Sequence, residues 1–121
     1  MAGKSILVVE DEPLVGMELQ EGLNRLGYHV PQVVTNGDEV QTAMNRFHPD
    51  LILMDIHLQG SLDGIQATAK LRETSDVPVL FLTAYSDSAT LGRAAEILPD
   101  GYLLKPFEER ELAANIEMLL L

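Results

Sequence analysis

Leu51-Ile52-Leu53-Met54-Asp55-Ile56 is the stretch on which the reading of the whole chain turns. Four apolar residues in succession lack the in-out alternation of a strand with one wet face. A run this short, entered from His48-Pro49-Asp50, reads as a strand covered on both sides, as in a parallel sheet. Similar runs at Ile6–Glu10, His29–Val34, Val79–Thr83 and Tyr102–Leu104 bring the strands to five, and most of them also lack clean alternation. The stretches between them are long enough to carry crossover helices.

Helical patterning fills those stretches. Pro13 suits an opening turn, after which Val15, Leu19, Leu23 and Leu26 recur at helical spacing until Gly27, a left-handed stop. Asn36 with Glu39 three residues later predicts a capping box, followed by a stripe of Val40, Ala43, Met44 and Phe47. A third helix is expected from about Asp63-Gly64 to Arg72, on Ile65, Ala69 and Leu71. The fourth, from about Ser88 to Leu98, contains Gly92 in its interior, at a cost of about 1 kcal/mol relative to alanine, and is expected to be the least stable. The last follows Pro106, turns Leu112, Ile116 and Leu119 inward, and sets Glu108, Glu109 and Glu111 near its positive end. Strand and helix in five alternations predict an α/β fold: a doubly wound sandwich with right-handed crossovers.

Length and composition agree. The 121 residues are read as one domain, 1–121, with the apolar and charged fractions of an ordinary globular chain. The absence of cysteine excludes disulfide scaffolds, thiolate zinc sites and cysteine nucleophiles, and fits a cytoplasmic setting. Its apolar runs fall far short of a bilayer span, and no signal peptide is recognisable at the start. A net charge of −11 repels phosphate backbones and anionic lipid, so neither nucleic acid nor membrane is an expected direct partner.

In doubly wound sheets ligands bind beyond the carboxyl ends of the strands, near the point where strand order reverses. There the first strand ends in Glu10-Asp11-Glu12, the third in Asp55, the fourth in Thr83 and the fifth in Lys105. For strand order 2-1-3-4-5, Glu10, Asp11 and Asp55 share one crevice. One acid at one strand end is commonly just a solvated loop residue; the constellation changes that reading. Crowded carboxylates repel one another unless a cation lies among them, and an oxygen-only ligand set favours Mg²⁺. Lys105 adds a second positive charge and Thr83 a hydroxyl donor, a set able to hold phosphoryl oxygens.

Val8-Val9-Glu10-Asp11-Glu12, Pro49-Asp50-Leu51-Ile52-Leu53-Met54-Asp55, Leu82-Thr83-Ala84 and Gly101-Tyr102-Leu103-Leu104-Lys105-Pro106-Phe107 together resemble the receiver domain of two-component response regulators. The likeness covers nearly the whole chain and implies a flavodoxin-like (βα)5 sandwich with a five-stranded parallel sheet. It further implies that Asp55 is the phosphoacceptor, taking a phosphoryl group from a histidine kinase or a histidine phosphotransfer protein. Asp11 would ligate Mg²⁺ directly, Glu10 mainly through water, and His57 through its backbone carbonyl. Thr83 and Tyr102 match the switch pair, Lys105 the phosphoryl-binding lysine, and Pro106 a proline that follows a cis peptide bond. The chain would then catalyse only its own phosphorylation and dephosphorylation. It would signal through the face made by the fourth helix, fifth strand and fifth helix, to an output domain in cis or an effector in trans, with a homodimer through that face as a further expectation.

Two other functions fit the sequence less well. A receiver-shaped module that works without phosphorylation would not need the intact Asp11, Asp55, Thr83 and Lys105 set. An aspartyl-phosphate hydrolase would need a carboxylate two residues after its nucleophile, where His57 stands, and normally a substrate cap. The chain departs from the common receiver pattern after Asp55: His57-Leu58-Gln59-Gly60-Ser61-Leu62 precedes Asp63-Gly64 where a shorter proline-containing loop is usual. Gln59 is given no role. Ala84 is read as leaving the site open, and Tyr85-Ser86-Asp87 as bearing on access. His29 and His48 are read as surface residues, the methionines as packing, and the apolar Met118-Leu119-Leu120-Leu121 as a truncated boundary or dimer contact.

Overall fold

Five parallel strands run β2-β1-β3-β4-β5 across the sheet. A computed structural model describes residues 3–84, 92–93 and 100–121. The expected helix at 88–98, apart from Gly92 and Arg93, lies outside the described residues, as do Tyr85-Ser86-Asp87 and the side chain of Ala84. In chain order the elements are β1 (Ile6–Val9), α1 (Pro13–Arg25), β2 (Val33–Val34), a 3₁₀ turn (Gly37–Glu39) leading into α2 (Val40–Phe47), β3 (Leu51–Asp55), α3 (Gly64–Leu71), β4 (Val79–Ala84), β5 (Gly101–Lys105) and α4 (Glu109–Leu119).

The unbroken apolar runs bury both faces of the sheet. Alternate residues of each strand feed one of two cores: Leu7, Val9, Ile52, Met54, Val79 and Phe81 pack under α2 and α3, and Ile6, Val8, Leu51, Leu53, Leu80 and Leu82 under α1 and α4. Every residue of β1 and β3 is buried, Asp55 included. The same parity puts Glu10 and Asp55 on the α1/α4 side and Thr83 on the α2/α3 side. β2 is shorter than its apolar run. Ser5 pairs with His29 and Val8 with Val33, so three steps on one strand face four on the other. The extra residue falls beside Pro31, which has no N–H to offer the ladder.

Local chemistry accounts for the helix ends. Gly27 stands at φ +95° just past α1, and His48 ends α2 at φ 46°. The Asn36 side chain accepts from Glu39 N at 3.1 Å, but the return bond joins the two side chains (2.7 Å) and is not the backbone bond of a capping box. True boxes form at Asp63 with Gln66 and at Glu108 with Glu111. The inward face of α3 consists of Gly64, Ile65, Ala67, Thr68 and Leu71, with Ala69 outside. Thr68 escapes an apolar search because it is polar, yet it is fully buried and its hydroxyl donates to the Gly64 carbonyl at 2.8 Å. Two methionines also depart from the packing expectation: Met17 and Met118 are exposed, while Met54 is buried. His29 and His48 both lie on the surface.

Candidate functional site

β1 and β3 are neighbours, paired from Ile6–Leu51 to Val9–Met54, so the residues that follow Val9 and Met54 emerge side by side. Oxygens of Glu10, Asp11 and Asp55 all lie within 4.8 Å of one another there. Each carboxylate has one oxygen held by a backbone N–H: Glu12 N donates to Glu10 Oε2 (3.2 Å), Gln59 N to Asp11 Oδ2 (3.0 Å) and His57 N to Asp55 Oδ1 (3.1 Å). β5 brings Lys105 to the same place through its pairing with β4. Its Nζ stands 3.6 Å from Glu10 Oε1 and 3.7 Å from Asp55 Oδ2.

This arrangement is short of positive charge. Glu10 is 1% exposed, and its Oε1 is buried without a hydrogen-bond partner among the described residues. Burial and then the neighbouring Asp55 carboxyl push the Glu10 carboxyl up to about 7, against the opposing pull of the Glu12 N–H and Lys105. Lys105 offers one positive charge to Glu10 and Asp55, and Asp11 adds a third carboxylate, a surplus of negative charge of the kind a divalent ion offsets. The donor set is all oxygen, as Mg²⁺ requires, and Glu10, Asp11 and Asp55 are the residues that would hold it. The acidic expectation therefore fits the geometry.

Thr83 is fully buried at the end of β4, facing Leu104 in register. Tyr102 is half-buried, lies opposite Phe81 in register, and its ring centroid is 6.2 Å from that of Phe81. The alternation of β4 and β5 puts Thr83 and Tyr102 diagonally on one face. The bond between Lys105 and Pro106 is cis.

Two contributors escaped the reading of the sequence. A Cβ at Gly64 would collide with the Asp55 carbonyl oxygen and lie 2.8 Å from Ile56 Cα, while Gly64 N donates to the Ile56 carbonyl at 2.9 Å. Only glycine lets the start of α3 dock this closely on the end of β3. The Asp63-Gly64 dipeptide carries the signal, which in the sequence marks only a helix start. The other contributor is Gln59, whose part belongs to its backbone and leaves no trace in side-chain chemistry.

Fold and site together define a doubly wound α/β protein whose acid-and-lysine crevice sits at the carboxyl end of its central strands, between β1 and β3. Residues 6–117 match the family model of the response regulator receiver domain, and the chain belongs to that family. It is 38% identical over 117 residues to a probable transcriptional regulator, ycf27, of Cyanophora paradoxa, covering 97% of this chain and 48% of that protein. The chain spans about half the length of the curated relatives it matches. Among solved structures it resembles the signal receiver domain of a modulated diguanylate cyclase from Desulfovibrio desulfuricans G20, with TM-score 0.89, 38% identity, and 96% of this chain and 92% of that chain covered. The BeF3-activated N-terminal receiver domain of RstA from Klebsiella pneumoniae gives TM-score 0.89 at 30% identity, over 97% of this chain and 98% of that one. Receiver domains are signalling switches of two-component systems. No helix among the described residues is long and apolar enough to cross a membrane.

Proposed function

We propose that residues 1–121 form one receiver domain that accepts a phosphoryl group on Asp55 from a phosphohistidine of a histidine kinase or histidine phosphotransfer protein. The observation that carries this reading is the convergence of Glu10, Asp11 and Asp55 within 4.8 Å, with Lys105 3.7 Å from the carboxylate that would react.

Asp55 suits a nucleophile's part. It ends a buried strand, has one oxygen held by the His57 N–H and turns the other toward Lys105. In the transfer, an Asp55 oxygen forms a bond to phosphorus while the phosphorus–nitrogen bond to the donor imidazole breaks, and the departing nitrogen keeps the electron pair. Bound Mg²⁺ would offset charge on the transferring oxygens. Asp11 would ligate it directly, Glu10 mainly through water and His57 through its backbone carbonyl. Lys105 would neutralise a further phosphoryl oxygen on leaving its contacts with Glu10 and Asp55, without a proton transfer.

The switch follows from the neighbouring strand ends. Thr83 would turn its hydroxyl to a phosphoryl oxygen, and Tyr102, diagonal to it, would follow inward. The surface that carries β5 and α4 would then change its contacts with an output domain in cis or an effector in trans, or with a second copy of the chain. A cytoplasmic location accords with partners of this kind.

Acetyl phosphate with Mg²⁺, followed by intact mass, tests the chemistry. The expected result is a base-labile gain of one phosphoryl group on the wild type, absent without Mg²⁺ and absent from Asp55→Asn. A gain of the same size on Asp55→Asn would remove Asp55 from the role, and no gain on either would favour a receiver-shaped docking module.

A further inference from the structure

The backbone amides that hold the three carboxylates are not equivalent. Those on Glu10 and Asp55 come from residues two positions further along the same segment, so each forms wherever its own segment goes. The amide on Asp11 comes from Gln59, 48 positions away, and depends on how the loop after β3 is laid across the site.

That loop is anchored on both sides of Gln59. Leu58 is buried in the core beneath α2 and α3. Gly60 turns the chain at φ +104°, a conformation that side chains disfavour. Ser61 then donates its hydroxyl to Asp38 Oδ2 at 2.6 Å, and Leu62 lies so close to Gly37 that a Cβ there would be 2.7 Å from its carbonyl oxygen. The Gln59 side chain itself is exposed. Four ties thus place one N–H against the Asp11 carboxylate.

We propose that Gln59 is a positioning residue of the cation site, acting through its backbone N–H. This rests on the reading of Glu10, Asp11 and Asp55 as the Mg²⁺ site. By holding Asp11 Oδ2, the amide fixes the carboxylate's rotamer and leaves the other oxygen to a cation, so the ion binds a ligand already oriented. Partners that orient metal ligands in this way typically contribute about 10–100-fold in affinity. The long loop after Asp55 is accordingly part of the metal site, and its unusual sequence tunes the concentration of Mg²⁺ at which the domain responds.

The test compares Gln59→Pro, which removes the N–H, with Gln59→Ala, which keeps it, by Mg²⁺ titration followed through backbone amide shifts. Gln59→Pro should bind Mg²⁺ about tenfold more weakly, and Gln59→Ala within about twofold of wild type. Equal affinity in all three would overturn the proposal and leave the metal reading standing. Tighter binding by Gln59→Pro would overturn it too, since the amide would then compete with the cation for Asp11. No Mg²⁺ shift at Glu10, Asp11 or Asp55 in the wild type would bring down the metal reading and this inference together. A second measurement needs no folded proline variant: in the metal-free protein the Gln59 amide should exchange with solvent about tenfold more slowly in wild type than in Asp11→Ala, and equal exchange rates would contradict the bond.

Discussion

At the amino end of the sheet, Asp50 accepts Ser5 N at 2.7 Å, and Asp100 accepts both Val79 N (2.8 Å) and the Arg72 guanidinium (2.5 Å). At the carboxyl end, three carboxylates crowd together with one backbone amide each, Glu10 and Asp55 share one lysine, and Glu10 Oε1 is buried without a hydrogen-bond partner among the described residues. The residue types are alike; their company differs. Acids at the amino end tie neighbouring strands together, Asp50 joining β1 to β3 and Asp100 joining α3, β4 and β5. At the carboxyl end, burial makes an ionised Glu10 a cost to the fold. A surplus of like charge held in place by backbone is thus what sets the carboxyl-end acids apart from those at the amino end.

The contrast can be broken, most severely at Asp11. Asp11→Asn should weaken Mg²⁺ binding by at least about 100-fold while leaving the fold intact, measured by calorimetric titration and thermal unfolding. A variant that keeps its affinity would show that the carboxyl-end acids do not work as a set.

Glu10 sharpens the contrast through pH. Its folded pKa, raised from 4.5 to about 7, means the metal-free native state holds a proton that the unfolded chain releases. Glu10 therefore imposes no penalty below about pH 4.5, a growing one as pH rises from there to about 7, and its full penalty above that. Glu10→Gln should match wild type near pH 4.5 and exceed it by about 2 kcal/mol at pH 7.5 without Mg²⁺, as read from urea unfolding. A wild type more stable than Glu10→Gln at pH 7.5 would contradict the charge surplus.

Amino-end substitutions should do the reverse. Asp100→Ala leaves Val79 N and Arg72 without their acceptor and should cost about 1 kcal/mol of stability with Mg²⁺ affinity unchanged. The smallest effect is expected from Asp50→Asn, which keeps an acceptor for Ser5 N and should change stability by less than about 0.5 kcal/mol.

Much of this was legible in the sequence because the fold is written in side-chain polarity. Ile6–Val9 and Leu51–Met54 read as strands covered on both faces, since nothing polar interrupts them, and Asp55 stood out because it ends such a run. The acids and Lys105 were visible for the same reason. What stayed hidden is carried by backbone or by missing atoms. Gln59 acts through an amide that every residue but proline possesses, and Gly64 through a Cβ it lacks. Thr68 hides by satisfying its hydroxyl within its own helix, and Pro31 shortens β2 by withholding a donor from an otherwise apolar run.

The most direct measurement is the map of backbone amide shifts on adding beryllofluoride with Mg²⁺, a stand-in for the phosphoryl group. The account predicts shifts at Glu10, Asp11, Asp55, Gln59, Thr83, Tyr102 and Lys105, small ones at Asp50 and Asp100, and none of this pattern in Asp55→Asn. Shifts spread evenly over both ends of the sheet, or none at the carboxyl end, would contradict it.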